Sequence, residues 1–425
     1  MTAEIAIMNR HALVLAADSA VTVSRRKVWK TANKLFSLSP HNDIAIMAYG
    51  AGDFIGFPWE TIVKTYRLAV GQRQFKSVQE CADDFIAYLK NEKFSASTEE
   101  EVSVVIGFVK HLDLLKKQMP EYKTRKEFRA ALEVRIARSK ERIESLSEIA
   151  ADISLTDFRS QYQETIAGLA KEEFKEHVPK KIMKNLVELL FMGFRRRFKS
   201  DYYTGVVVAG FGTDELFPSL ASYVIDGKHK GRLRAWKEEV NSHNCNEVDE
   251  SNGVIIAFGQ DDIAVLFLEG VMSQHTRWMR RTLKRLLDDK SDSLIETYVP
   301  NQDEQTVERT LQRKENSKIV RDLDKEFEDY RDRSLVQPVM KVVATLPKEE
   351  MAEMAEALVE LTSLRRRVDS PLESVGGPTD VAVISKGDGL VWTKRKHYFD
   401  AALNRDFLTR KALQLQKVSL DERSN

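Results

Sequence analysis

The sequence predicts an α+β protein in which β-sheets pack together and helices cover them. Strand-like segments occur near both ends and in the middle of the chain, and helical patterns separate them. Residues 12–17 form an uninterrupted apolar run, which is typical of a strand buried on both faces. When two highly charged stretches are set aside, the predicted order is strands, two helices, strands, two helices, strands. That order suits packed sheets with helices outside them.

The N-terminal region is predicted to consist of strands. Apolar residues alternate with Glu4 over residues 3–7, which gives the period of two expected for a strand. After a short turn, the apolar run follows and ends at Asp18. Further strands are predicted at residues 34–38 and 44–49.

Helical patterns follow this region. Residues 53–70 end before a glycine, and Ser77-Val-Gln-Glu80 has the form of a capping box in front of an apolar stripe. Residues 102–109 fit a strand or a helix equally well. A long helix is predicted over residues 261–287, and another begins near Leu346, with a proline in its first turn. Later strands are predicted at residues 204–210, 220–225 and 253–258, with a final hairpin at 380–392 that turns at Gly387-Asp388-Gly389.

The predicted domain organisation is one domain over residues 1–404 with two helical insertions. The insertions, at residues 112–200 and 288–335, are crowded with charged residues and carry apolar residues at helical spacing. They could serve as partner-binding arms, subunit contacts or a lid. Residues 405–425 are predicted to form a basic and polar tail.

Composition narrows the classes of function. The 425 residues carry a net charge of +1, so the field of the whole protein attracts neither nucleic acid nor a membrane surface. Cys81 and Cys245 suit a reducing compartment, and the sequence has no long apolar run or signal-peptide pattern, so we expect a cytoplasmic protein. The eight histidines lack metal-ligand spacing, and we expect no metal site.

Basic clusters raise the alternative of nucleic-acid binding. Arg195-Arg196-Arg197 lies between Phe194 and Phe198, and further clusters occur at residues 277–285 and 365–367. Acidic residues offset these clusters over the whole chain, which favours solvated helix faces over contact with nucleic acid.

Thr2 is the first candidate for chemistry. Its side chain is small enough for methionine aminopeptidase to remove Met1, which would leave a chain that begins with a free threonine. A terminal threonine combines a hydroxyl nucleophile with an α-amine whose unperturbed pKa is about 7.7–8.0. The amine can therefore accept the hydroxyl proton, directly or through water.

Such a site needs partners for the amine and for the substrate. Lys34 supplies a cation that would keep the amine deprotonated, and Asp18 supplies a carboxylate that would hold Lys34. In an antiparallel meander, both residues could converge on the start of the first strand. The glycine-rich turn at residues 48–53 offers backbone N–H groups for an oxyanion.

These residues resemble the start of proteasome β-type subunits, which are N-terminal nucleophile (Ntn) hydrolases. Thr2, Asp18 and Lys34 match the family's spacing without a gap, together with the runs "LVLAAD" and "KLFSL". Downstream, "VVVAGFG", "SYVIDG", "AFGQDD" and "SVGGPTDVAVISKGDGLVW" are similar to the family's central hairpin, the turn into its third helix and its last strand pair.

The resemblance implies a four-layer αββα fold and threonine-type cleavage of amide bonds. Thr2 would be nucleophile and base, Lys34 would tune the amine, Asp18 would orient Lys34, and the Gly50 amide would bind the oxyanion. It also implies a polypeptide substrate, a homo-oligomer, a separate ATP-dependent unfoldase and no cofactor. The family's supporting serine and Asp/Ser group have no clean match in this chain, where Gln260 or Asp261 occupies the first region and Glu373 and Ser374 lie near the second.

Two alternatives stay open at this stage. The same fold could be a catalytically silent scaffold or binding module whose helical insertions hold a protein or nucleic-acid partner. Alternatively, the substrate could be a small non-protein amide.

Overall fold

The structure is a computed structural model. It describes residues 2–23, 27–95, 97–150, 152–247, 252–369, 375–397, 399–400, 402–406 and 409. Met1, Glu373, Ser374 and most of the predicted tail therefore lie outside the described residues.

The strands occupy the two ends and the middle of the chain, as the sequence predicts. They are β1 (Ala3–Asn9), β2 (Leu13–Ala17), β3 (Val21–Val23), β4 (Lys27–Trp29), β5 (Leu35–Ser39), β6 (Asn42–Gly50), β7 (Asp53–Phe54), β8 (Phe57–Pro58), β9 (Thr204–Phe211), β10 (Ser219–His229), β11 (Arg232–Lys237), β12 (His243–Asn244), β13 (Gly253–Gly259), β14 (Asp380–Ser385) and β15 (Gly389–Lys394).

The helices fill the segments between these strands. They are α1 (Trp59–Val70), α2 (Val78–Leu89), α3 (Ser97–Lys117), α4 (Arg125–Glu144), α5 (Leu155–Phe174), α6 (Lys180–Arg195), α7 (Asp262–Glu269), α8 (Ser273–Tyr298), α9 (Gln302–Arg331), α10 (Gln337–Val343) and α11 (Lys348–Asp369). A π-helical turn at Asp332–Val336 joins α9 to α10.

Most strands belong to two large antiparallel sheets. The first sheet has the order β13-β1-β2-β14-β15, and the second has the order β11-β10-β9-β6-β5 with β12 beside β10. In the first sheet, Ile7 lies between Val14 of β2 and Ile255 of β13, which fixes the register of β1. The combination of antiparallel sheets with many helices confirms the predicted α+β class.

The two sheets pack against each other through their inner faces. Met8 and Leu15 of the first sheet share this core with Met47 and Val207 of the second. Burial of these side chains is the main force that holds the sheets together.

Helices cover the outer face of each sheet. Ile62 of α1 and Phe85 of α2 pack against the second sheet, and Met351 and Leu358 of α11 pack against the first. Because both faces of β1 are covered, all seven of its residues are buried, including Glu4. The alternation around Glu4 therefore does not mark a solvated face.

Local predictions for the helices have mixed outcomes. The capping residue is confirmed at α2, where the Ser77 hydroxyl accepts a hydrogen bond from the backbone N–H of Glu80. Residues 102–109 are helical, within α3. The single helix predicted over 261–287 is wrong, because Gly270 adopts a left-handed conformation (φ 68°) that ends α7 before α8 begins.

The charged stretches are helical. Helices α3 to α6 bury a core of their own, which includes Phe108, Phe158 and Leu186. Helices α8 and α9 run antiparallel, since Arg280 near the start of α8 contacts Asp324 near the end of α9. Both helical groups begin before the predicted limits of the insertions, and the division into one domain with insertions stays a prediction.

Within the described part of the chain, no helix combines the length and apolar character needed to cross a bilayer.

Candidate active site

Thr2 lies directly before β1, at the junction of the two sheets. Its hydroxyl oxygen accepts a hydrogen bond from the backbone N–H of Gly50, at 3.3 Å, and Gly50 ends β6 of the second sheet. Its carbonyl oxygen accepts a hydrogen bond of 2.9 Å from the N–H of Gln260, which follows β13 of the first sheet. These two hydrogen bonds hold Thr2 between the two sheets, and the residue is only 2 % exposed.

Asp18 directly follows β2 and is buried next to Ala3, the neighbour of Thr2. One carboxylate oxygen accepts a hydrogen bond of 3.1 Å from the N–H of Ala3, and the other accepts bonds from Ala20 (3.2 Å) and Gly376 (2.8 Å). The Lys34 ammonium also donates to this carboxylate. Burial of a charge is tolerated when it is paired and hydrogen-bonded in this way.

Lys34 precedes β5 and reaches from the second sheet to the first. Its ammonium nitrogen contacts Asp18 and lies 3.1 Å from Oε1 of Glu4, and the residue is 4 % exposed. Burial alone would lower the pKa of Lys34, but the attraction of Glu4 and Asp18 outweighs it and raises that pKa above its ordinary value. Lys34 is therefore a fixed positive charge and not a proton acceptor.

Glu4 is a site residue that the sequence reasoning did not identify. Its carboxylate is fully buried between the sheets, and burial raises its pKa to about 7, against the lowering effect of Lys34 and of the Thr2 hydroxyl. Neither Glu4 oxygen makes a hydrogen bond of ordinary geometry among the described residues, but Oε1 lies within ion-pair distance of Lys34, and the Thr2 hydroxyl is close enough to act on the carboxyl group. The signal was available, because residues two apart on a strand share a face, and Glu4 is two residues from Thr2.

Gly50 needs to be a glycine where it stands. Its φ angle is +91°, and a Cβ atom there would lie 2.6 Å from the carbonyl oxygen of Tyr203. The backbone can therefore turn so that its N–H points at Thr2 Oγ1.

A cavity of about 160 Å³ joins these groups. Thr2, Lys34 and Gly50 line it, together with Trp59 and Glu60 of α1. The structure thus brings Thr2, Lys34 and Gly50 to one cavity and binds Asp18 to Lys34 behind it. The catalytic roles assigned to these four residues stay predictions.

Gln260 and Asp261, which lie in a region predicted to supply supporting groups, follow β13. Gln260 contacts Thr2 through its backbone N–H, and Asp261 directly precedes α7. In the first basic cluster, Arg195 and Arg196 pair with Glu148, and Arg196 also donates to backbone carbonyl oxygens. These arginines hold α6 to the segment after α4.

No group of histidine, cysteine or acidic residues suited to a metal ion occurs among the described residues.

Comparison with known proteins gives limited information. No family model and no curated protein match the chain. Solved structures that align with it include Anbu (ancestral beta-subunit) from Yersinia bercovieri, with 10 % identity over 98 % of this chain and 96 % of that one and a TM-score of 0.28. Another is the helical assembly of the Anbu complex from Pseudomonas aeruginosa, with 10 % identity, the same coverage and a TM-score of 0.27.

These findings correct the identification of the chain as a proteasome β-type subunit, which is wrong. No model of that family matches, and the solved structures that align with the chain share only 10 % identity with it. The physical reason lies in the blocks that carried the resemblance. They are short apolar strands and glycine turns such as those of β9, β10 and β14, which buried antiparallel sheets require in general.

Proposed function

We propose that the protein is a threonine-type hydrolase that cleaves amide bonds, with Thr2 as the nucleophile once Met1 has been removed. The observation that carries the proposal is the buried Lys34 ammonium, which Asp18 holds at the cavity that contains the Thr2 hydroxyl. A buried, perturbed ion cluster beside a nucleophile in a cavity is characteristic of active sites.

Each residue then has a defined role. The Lys34 charge disfavours the protonated form of the nearby Thr2 amine and so keeps that amine available as a base. As the amine takes the hydroxyl proton, the oxygen attacks the substrate carbonyl, and the N–H of Gly50 donates to the oxyanion that forms. The amine nitrogen of the substrate leaves with the proton, and water then hydrolyses the ester on Thr2.

The remaining expectations belong to the same proposal. The packing of sheets between helices supports the specific αββα sandwich that the sequence suggested. A polypeptide substrate, self-association into a homo-oligomer, a separate ATP-dependent unfoldase and a cytoplasmic location are proposed with it. The chemistry as written uses no metal or organic cofactor.

The test combines intact mass with labelling. The purified protein should lack Met1 and should be labelled at Thr2 by an electrophile selective for N-terminal threonine. Thr2→Ala should abolish labelling, and it is a fair variant because alanine also permits removal of Met1. Thr61→Ala, on the exposed face of α1, is the matched control and should label normally. Retention of Met1, or full labelling of Thr2→Ala, would exclude this function.

A second candidate function is a binding module with a silent site. The observation that favours it is the exposed apolar surface of α8 and α9, where Trp278, Tyr298, Val307 and Tyr330 are all at least 60 % exposed. Such side chains are enriched at protein interfaces. Under this alternative, Asp18→Asn and Lys34→Ala would leave partner binding unchanged, whereas Trp278→Ala with Tyr330→Ala would weaken it.

A further inference from the structure

The ion pair with Lys34 explains only part of the environment of Glu4. Thr2, Glu4, Ala6 and Met8 share one face of the first strand, and Ala6 and Met8 point into the core between the sheets. Glu4 therefore places a carboxylate where its neighbours on the same face place apolar groups. Such a group costs several kcal/mol to bury unless it is paired and hydrogen-bonded.

The two oxygens of Glu4 face different groups. Oε1 lies 3.1 Å from the Lys34 ammonium. Oε2 lies on the side of Gly259, where a Cβ atom would meet Thr2 Oγ1 at 2.7 Å and Glu4 Oε2 at 3.2 Å. Gly259 has a φ angle of +73° and leaves that space open. One oxygen thus pairs with the Lys34 cation, while the other lies beside Thr2 and makes no hydrogen bond of regular geometry among the described residues.

We propose that Glu4 is the carboxylate partner of the Thr2 α-amine, and that it orients the amine and stabilises the ammonium formed during the reaction. This inference rests on the proposed function. Glu4 would be a positioning residue, comparable to the aspartate that holds the histidine of a serine-protease triad. The positive charge of Lys34 then lowers the pKa of the Thr2 amine, whereas the negative charge of Glu4 raises it.

The proton balance is simple. Thr2 Oγ1 bonds to the substrate carbonyl carbon and loses its proton to the neutral amine, which becomes an ammonium beside the Glu4 carboxylate. The ammonium then returns the proton to the substrate nitrogen as the C–N bond breaks. Glu4 gains and loses no proton in this sequence, so its effect is on how readily the amine is protonated.

Three charged or titratable side chains among the described residues face Glu4. Lys34 faces it from the segment before β5, Asp18 from the end of β2, and Tyr203 from the segment before β9. Burial raises the pKa of Tyr203, so this side chain is neutral near pH 7. With Lys34 positive and Asp18 negative, an ionised Glu4 leaves one excess negative charge, which the ammonium of Thr2 would neutralise.

The experiment measures the rate of Thr2 labelling as a function of pH for the full chain and for Glu4→Gln. Replacing the carboxylate with a neutral amide of the same shape removes the charge that favours the ammonium. The acid limb of the profile should therefore move to lower pH by roughly one to three units. Glu100→Gln, which alters a buried carboxylate on α3 that bonds the Gly231 N–H, is the matched control and should keep the wild-type limb.

The outcomes separate the two proposals. If the wild-type protein is not labelled at any pH, the proposed function fails and takes this inference with it. If the wild type is labelled and Glu4→Gln keeps the same acid limb, the function stands and the role of Glu4 is refuted. Should Glu4→Gln fail to fold, titration of isotope-labelled threonine in the wild type decides the matter. Two coupled steps at Thr2 support the inference, and a single step at the free-amine value overturns it.

Discussion

Glu4 should make the stability of the protein depend on pH in a way that a single substitution reveals. Its ordinary pKa of 4.5 rises to about 7 in the folded state, chiefly because it is buried. Between these two values, the folded state binds a proton that the unfolded state has released. The stability that Glu4 contributes as a neutral acid is therefore fully present below pH 4.5 and is lost as the pH rises through about 7.

The magnitude follows from the size of the shift. A change of one pKa unit corresponds to about 1.4 kcal/mol, so the shift of Glu4 corresponds to about 3 kcal/mol between low and high pH. Glu4→Gln should unfold with nearly the same free energy as the wild type at pH 4.5. At pH 8 the variant should be more stable by about 3 kcal/mol, because it no longer buries a charge.

Urea unfolding from pH 4.5 to pH 8 measures this difference directly. Titration of all other groups is common to both proteins and cancels in the difference between their free energies of unfolding. Glu141→Gln, on the exposed surface of α4, is a control for the loss of one negative charge. A difference between wild type and Glu4→Gln that stays constant within about 0.5 kcal/mol over this range would refute the reasoning.

Further variants test neighbouring parts of the site and fold. Lys34→Met removes the ammonium that Asp18 and Glu4 share, and it should lower the free energy of unfolding by about 3–5 kcal/mol, with a smaller loss at pH 5 than at pH 8 in urea titrations. Gly50→Ala should cost about 1–3 kcal/mol and slow Thr2 labelling, since its Cβ meets the Tyr203 carbonyl; normal stability and labelling would contradict this. Ser77→Ala should lower the melting temperature by the loss of about 1 kcal/mol of capping energy while labelling is unchanged.

Local sequence patterns identified much of the fold and the site. The apolar run before Asp18 predicted β2, and the glycines after Ser385 predicted the turn between β14 and β15. These features depend on residues close together in the chain, and short-range chemistry determines them. The meeting of Asp18 and Lys34 is different. The sequence suggested it through an antiparallel meander, but β2 and β5 belong to different sheets, and the two residues meet across the junction between the sheets.

Other features depended on contacts between distant segments, and only the tertiary structure decided them. A period of two shows that Thr2 and Glu4 share a face, but it does not show that α11 covers one side of β1 while the second sheet covers the other. Burial of Glu4, the rise of its pKa and its contact with Lys34 all follow from that packing. The sequence by itself determined which residues could react, whereas the packing of two sheets determined the charge that surrounds them, because desolvation and ion pairing depend on neighbours that the local chain does not contain.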